Sequence, residues 1–212
     1  PTNDAVVDAL PTLIFGEPVI EDVVFGVQCS ISPLSFMQGN GQMVDVLYQT
    51  FMDALDYKGG DIVDLYCGAG VFTIALARGY VGTNGADKQG KVIGVDINAS
   101  SIADAVKNAK RAKVDVDFKC EAAEVFVQGN DLAQATVIMD PPRKGCDPTV
   151  LEALLKATPK TIAFMSCYPD SLGRDLRTLV DGGYQVTMVQ PVDMFPHTAH
   201  VEAVVMLSRD AS

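Results

Sequence analysis

Hydrophobic and polar positions change their period along the chain, and the change separates a lead-in from a repeating strand–helix region. Residues 1–35 hold Pro11, Pro18 and Pro33 around short β-type runs, of which Val23 to Cys29 is the clearest. From Gln42 to Leu55 the apolar positions Val44, Leu47, Tyr48, Phe51 and Leu55 recur at three- and four-residue steps, which predicts an amphipathic helix. Apolar runs that predict strands follow at Asp61–Tyr66, Lys91–Val95, Val114–Cys120, Ala135–Met139 and Thr161–Met165. Helical patterns fall between or after them at Val71–Arg78, about Ser100–Lys113, Pro148–Ala157 and Ser171–Asp181. Two longer β runs, Gln185–Val192 and Val201–Ser208, close the chain around the loop Asp193–His200. Gly79 to Gly90, rich in Gly and Asn, reads as an insertion loop. Strand–helix alternation of this kind predicts an α/β fold with a mostly parallel sheet, right-handed crossovers and helices on both faces. Ligands in such sheets bind at the carboxyl ends of the strands.

Composition narrows the class. The 212 residues are 48% hydrophobic and 20% charged, enough for a packed core and too apolar for a disordered chain. No stretch approaches 18 uninterrupted apolar residues, and the first residues show no basic-then-apolar leader. The chain opens at Pro1 without an initiator Met, and a portion of a longer protein is expected. The formal net charge is −11, which disfavours a free-standing nucleic-acid binder. Its distribution is uneven: residues 1–57 carry eight acids and no base, whereas 58–212 carry 16 bases and 19 acids. The second part has room for a local positive patch. Five cysteines without a CxxC pair point to free thiols in a reducing, intracellular compartment, with the cytoplasm expected first and an organelle second.

Four segments carry candidate chemistry. Asp64-Leu65-Tyr66-Cys67-Gly68-Ala69-Gly70 joins a predicted strand to a predicted helix, and its glycines let backbone approach a ligand. A plain tight turn is the competing reading. Thr73 replaces the third glycine of a dinucleotide fingerprint, so a nucleoside cofactor without a pyrophosphate suits the site better. Asp96, at the end of the next strand, is placed to accept from ribose hydroxyls. Asp140-Pro141-Pro142-Arg143-Lys144-Gly145 makes a stiff extended corner that presents a carboxylate beside a flat substrate, with Arg143 and Lys144 as phosphate contacts; a purely structural loop is the alternative. Ser166-Cys167-Tyr168-Pro169 places a thiol between a strand and a helix N-terminus, which, with Arg143, Arg174 or Arg177 nearby, is expected to lower its pKa. An inert cysteine is the bland reading there, and Cys67, Cys120 and Cys146 are read as structural. Finally, Glu202 opens an apolar strand, where a carboxylate is costly to bury unless it serves as a general base. His197 and His200 lack a third ligand, and no metal is expected.

Taken together, these segments resemble the S-adenosylmethionine-dependent RNA (uracil-5-)-methyltransferases that act on tRNA and 23S rRNA. The resemblance runs from about Gly16 to Arg209. It rests on Ser35-Phe36-Met37-Gln38-Gly39-Asn40, Asp64-Leu65-Tyr66-Cys67-Gly68, Asp140-Pro141-Pro142-Arg143-Lys144-Gly145, Ser166-Cys167, Arg174-Asp175-Leu176 and Asp193-Met194-Phe195-Pro196-His197-Thr198. It implies a Rossmann-like class I methyltransferase fold: a seven-stranded sheet with a C-terminal antiparallel hairpin, over residues 36–212, preceded by a β-rich lead-in of residues 1–35. It further implies Cys167 as nucleophile and Glu202 as base. Gln38, Tyr66, Gly68, Gly70, Asp96 and Asp140 would serve the cofactor S-adenosylmethionine, and Arg143 and Arg174 the RNA substrate.

Three positions depart from the family pattern: Tyr168 stands where Asn is usual, Asp96 where Glu is usual, and Val71 replaces a polar contact. Relatives commonly carry an N-terminal RNA-binding barrel, so a missing N-terminal RNA-binding domain is expected in the longer protein. Two other classes stay open at this point. An amino-methyltransferase would use the acid–Pro–Pro corner without a covalent cysteine, and a binding module would hold cofactor or RNA without turnover.

Overall fold

A computed structural model of the chain describes residues 11–57, 59–81 and 90–209. A hairpin comes first, β1 (Ile20–Val24) and β2 (Val27–Ile31), turning at Phe25-Gly26, both at positive φ. The single run expected over Val23–Cys29 is therefore two strands: period-2 alternation continues through the turn and conceals it. Helix α1 (Gly41–Ala54) follows, with the Asn40 side chain capping the Met43 amide at 3.3 Å.

Next come β3 (Ile62–Leu65), α2 (Val71–Leu76) and a single π turn, Ala77–Val81. The rest of the expected insertion loop, 82–89, lies outside the described residues. After it run β4 (Val92–Asp96), α3 (Ala99–Ala112), β5 (Asp117–Cys120) and α4 (Ala123–Gly129). The chain completes with β6 (Thr136–Met139), α5 (Pro148–Ala157), β7 (Thr161–Ser166), α6 (Pro169–Asp181), β8 (Gln185–Val192) and β9 (Glu202–Ser208). Helix α4 was not anticipated. At seven residues with only Ala123, Phe126 and Val127 buried, it is too short to show a helical period.

The main sheet has the order β5-β4-β3-β6-β7-β9-β8. Its first five strands are parallel, and β9 runs antiparallel to both β7 and β8. The chain moves outward from β3 to β5 and then returns to lay β6 on the other side of β3. That reversal is the topological switch point, where the diverging crossovers leave a crevice at the carboxyl ends of β3 and β6. Alternate residues divide between two cores. Ile62, Ile138, Ala163 and Val204 face one, with α1, α2 and the hairpin; Val63, Val137, Ile162 and Val205 face the other, with α4, α5 and α6.

Gly70, the N-cap of α2, has φ 75° and a left-handed conformation. A β-carbon there would lie 2.7 Å from the Ala105 methyl and 2.8 Å from the Phe118 ring. Gly70 thus lets α2 start tight against α3 and β5. Gly70→Ala meets both the φ strain and the overlap, and is expected to destabilise the fold by about 1–3 kcal/mol. A thermal melt should show that as a loss of roughly 3–10 °C for a domain of this size.

Candidate active site

The carboxyl edge of the sheet gathers the residues that the sequence singles out. Tyr66 follows β3 with φ 68°, a left-handed non-glycine conformation that costs about 1–3 kcal/mol and that the surrounding packing must hold. Its phenol pKa is driven up by burial and by the adjacent Cys146 thiol. Gly68 follows, and a β-carbon there would meet only the Phe36 carbonyl, at 3.5 Å, so the loop backbone is open toward the crevice. Asp96, at the end of β4, accepts from the Gly68 amide at 2.9 Å through one oxygen and from the Asn98 amide at 2.8 Å through the other. Its carboxylate sets the shape of the glycine loop, and each oxygen keeps a lone pair for a further donor.

Around this loop lies a cleft enclosing about 510 Å³, part of it open to solvent, whose walls include Gln38, Tyr66, Gly68, Phe72, Asp140 and Met165. Gln38 arrives on the strap between β2 and α1 and donates to Asp140 at 3.4 Å. The strap is fixed at its far end by Asn40, whose side chain donates to the Met194 carbonyl at 3.1 Å. Asp64 stands beneath, 2% exposed, accepting from the Thr73 hydroxyl at 2.6 Å. Burial raises both Asp64 and Asp140 to about 7, opposed in each case by that single hydrogen bond. The acid–Pro–Pro corner does place its carboxylate on the cleft.

The β7–β9 register brings Cys167 and Glu202 to the same edge. Ser166 pairs with Ala203, so the next residue on one strand and the preceding residue on the other emerge side by side. Glu202 is 1% exposed, and neither of its carboxylate oxygens has a hydrogen-bond partner. Burial, reinforced by Asp140, raises it to about 8. Two orphaned oxygens on one buried carboxyl are costly, and such a group is retained where a proton or a ligand has to be met.

Cys167 is half-buried. Its thiol pKa is raised, not lowered as expected: burial dominates, the Glu202 carboxyl adds to it, and only Arg143 opposes them. The two other arginines expected to help are engaged elsewhere. Arg174 bonds Asp175 at 2.9 Å and the Lys144 carbonyl at 2.8 Å, and Arg177 pairs with Asp181 at 3.1 Å on the surface of α6. Arg174 joins a set of contacts that clamps the corner loop to α6. In that set the Cys146 amide donates to Asp175 at 2.7 Å and the Ser171 hydroxyl donates to the Arg143 carbonyl at 2.9 Å. Gly145, at φ 83°, fits there because a β-carbon would fall 2.6 Å from the Asp175 carboxylate. The Nε and Nη2 groups of Arg174 thus brace the loop, while its side chain stays more than half exposed.

Among the other cysteines, Cys29 and Cys146 are buried and Cys120 exposed, while Cys67 lines the cleft. Tyr168, which caps α6 without a side-chain bond, is 39% exposed beside the thiol. His200 packs edge-on against Phe195, ring centres 6.1 Å apart. Sequence reasoning missed Thr73 as the partner of Asp64 and missed the buried pair Asp104 and Asn108 on α3. The signal for that pair was present: two polar residues four apart interrupt the apolar stripe of an amphipathic helix.

The cleft suits a cationic nucleoside. Among the described residues its acids have no counter-cation, Gly68 leaves backbone room, and Tyr66, Phe72 and Met165 supply apolar walls. Comparison with known proteins agrees. The tRNA (uracil-5-)-methyltransferase family model matches residues 27–210. An uncharacterised RNA methyltransferase of Listeria innocua is 39% identical over 212 residues, 98% of this chain and 45% of the relative. One from Bacillus cereus is 37% identical over 203 residues, 93% of this chain and 42% of the relative. The chain thus spans less than half the length of the curated relatives it matches. The Pyrococcus abyssi tRNA (uracil-54, C5)-methyltransferase, solved with S-adenosyl-L-homocysteine, superposes with a TM-score of 0.74 at 33% identity, covering 91% of this chain and 44% of that one. With its class I sheet and its S-adenosylmethionine-type cleft, the chain belongs to the tRNA (uracil-5-)-methyltransferase family.

Proposed function

We propose that this chain carries the catalytic machinery for methylating C5 of a uridine in tRNA or rRNA, through a covalent bond between Cys167 and C6 of the base. The observation that carries the reading is the juxtaposition of a half-buried thiol and a fully buried, unbonded carboxyl across the β7–β9 pair, beside the cofactor cleft of a family member.

Uracil C5 is a weak nucleophile, and the residues present answer that problem in order. The Cys167 sulfur, its proton released to solvent and the thiolate faced by Arg143, adds to C6, and the C5=C6 pair moves onto C5 and O4 as an enolate. S-adenosylmethionine, when bound, supplies an electrophilic methyl group for C5. Gln38, Tyr66, Gly68, Asp96 and Asp140 are the groups that would hold it, with Asp64 adding charge from below. Glu202, ionised, then takes the C5 proton; the C5–H electrons reform the double bond, and the C6–S bond breaks to return the Cys167 thiolate. A base stacked in RNA cannot reach this edge, so the uridine must be turned out of its stack. Arg143 and Lys144 stand exposed on the corner loop to meet the backbone phosphates.

Three outcomes follow from these roles. Incubated with labelled S-adenosylmethionine and unmodified tRNA and rRNA, the intact chain should yield 5-methyluridine on nucleoside analysis, and Cys167→Ala should lower the yield by at least about 10³-fold while still binding cofactor. Label in another nucleoside, or undiminished label with Cys167→Ala, would contradict the assignment. Glu202→Gln should form the RNA adduct and fail to release it, giving a band that survives denaturing electrophoresis, whereas rapid turnover by that variant would remove Glu202 from the mechanism.

The third outcome concerns pH. Glu202, at about 8, and Asp64 and Asp140, at about 7, all lie above ordinary carboxyl values, so the folded chain holds protons that the unfolded chain would release. Their stabilisation is complete below about pH 4 and is lost as pH rises through 7 and 8. Melting temperature should therefore fall between about pH 5 and pH 8.5, and Glu202→Gln should flatten the upper part of that fall. Because a cation favours the ionised acids, cofactor affinity should move the opposite way and strengthen as pH rises through about 7.

A further inference from the structure

Helix α3 reads the free edge of the hairpin with two side chains. β2 pairs with β1 along one side, and the backbone groups of Ser30 and Ser32 on its other side bond to side chains of the helix. Asn108, fully buried, accepts from the Ser30 amide at 2.8 Å and donates to the Ser30 carbonyl at 3.2 Å. One turn earlier, Asp104, 1% exposed, accepts from the Ser32 amide at 2.8 Å, the Ser32 hydroxyl at 2.9 Å and the Ser35 hydroxyl at 2.8 Å. The match is geometric: residues four apart on a helix are about 6.0 Å apart along its axis, and residues two apart on a strand about 6.6 Å. The helix N-cap extends the series, since Asn98 donates to the Leu34 carbonyl at 3.0 Å. At the other end Arg111 pairs with Glu21 of β1.

Asn108 does one thing more. The amide group that donates to Ser30 also donates to the Ala69 carbonyl at 3.1 Å, between the two glycines of the cofactor loop. A single buried side chain therefore touches both walls of the cleft: the segment that runs on from Ser30 to Gln38, and the glycine loop. Among the described residues, the neighbouring contacts of Asp104 and Asn98 reach the strap and that of Asp96 the glycine loop. Apolar packing could hold either wall in place, but it would not set their separation to within the tolerance of directed hydrogen bonds.

We infer that Asn108 is a positioning residue for the cofactor, fixing the spacing between the Ser30–Gln38 strap and the glycine loop. Asn108→Asp tests this with almost no change of shape. It keeps the acceptor for the Ser30 amide and turns the bond to each of the two carbonyls into a repulsion. The measurement is calorimetric titration of the whole chain with S-adenosylhomocysteine, which needs no turnover. Leu179→Ala, a fully buried site in the opposite core under α6, serves as the control for general loss of stability.

The expected result is at least a tenfold weaker dissociation constant for Asn108→Asp, a smaller loss for Asp104→Asn, and a change within twofold for Leu179→Ala. The amides of Ser30 and Ser32 should also exchange hydrogen faster in Asn108→Asp. If that variant does not fold, Asn108→Ser carries the same comparison. Affinity within twofold of the parent in folded Asn108 variants would overturn the inference, as would an equal loss in Leu179→Ala. Absence of binding by the parent chain itself would instead overturn the cofactor assignment, and the inference with it.

Discussion

Carboxyl groups wholly or partly buried, without a counter-cation among the described residues, govern the carboxyl edge of this sheet. Asp64, Asp140 and Glu202 come from three different strands or strand ends; Asp64 is buried with one hydrogen bond, Asp140 half-buried on the cleft with one, and Glu202 buried with none. An apolar substitute at any of them would relieve the desolvation cost. Their burial fits a site built to be completed by positive charge and by proton transfer, and it sets the electrostatics against which every neighbouring group titrates. The thiol of Cys167 is the clearest case. Arg143 acts in favour of the thiolate, and burial beside Glu202 outweighs it.

The topology accounts for how residues so distant in sequence meet. Parallel strands deliver their carboxyl ends to one edge, which brings Tyr66, Asp96, Asp140 and Cys167 together. Glu202 needs the opposite device: only an antiparallel strand can present its first residue there, and β9 is such a strand, inserted between β7 and β8. The two ends of the site are then braced by polar clamps. α6 grips the corner loop through Asp175 and Arg174, and α3 grips the strap through Asp104 and Asn108. Both clamps use carboxylate or amide side chains to satisfy backbone groups that loops would otherwise leave to water.

Much of this was legible in the sequence, and for identifiable reasons. The strands of the parallel sheet are short apolar runs buried on both faces, and their alternation with helical periods fixes the class. Cys167 and Glu202 stood out because a thiol at a strand–helix junction and an acid at the head of an apolar strand are both unusual. Other features depended on tertiary contacts that no local pattern encodes. Gly70 reads as a ligand-binding glycine in sequence, and its packing against Ala105 and Phe118 shows only in the fold. Arg174 reads as a substrate contact in sequence, and its bonds to Asp175 and the Lys144 carbonyl show only in the fold. The direction of the Cys167 shift turns on how deeply the thiol lies and how near Glu202 comes, and both are set by the β7–β9 register.

The most direct test of the covalent mechanism uses RNA in which 5-fluorouridine replaces uridine, because the C5 fluorine cannot leave as a proton and the adduct is held. After incubation with S-adenosylmethionine and protease digestion, mass spectrometry should find a nucleotide on the peptide that contains Cys167, methylated at C5, and none on peptides containing Cys67, Cys120 or Cys146. A nucleotide on another cysteine, or methylated RNA with no protein adduct at all, would contradict the assignment of Cys167 as the nucleophile.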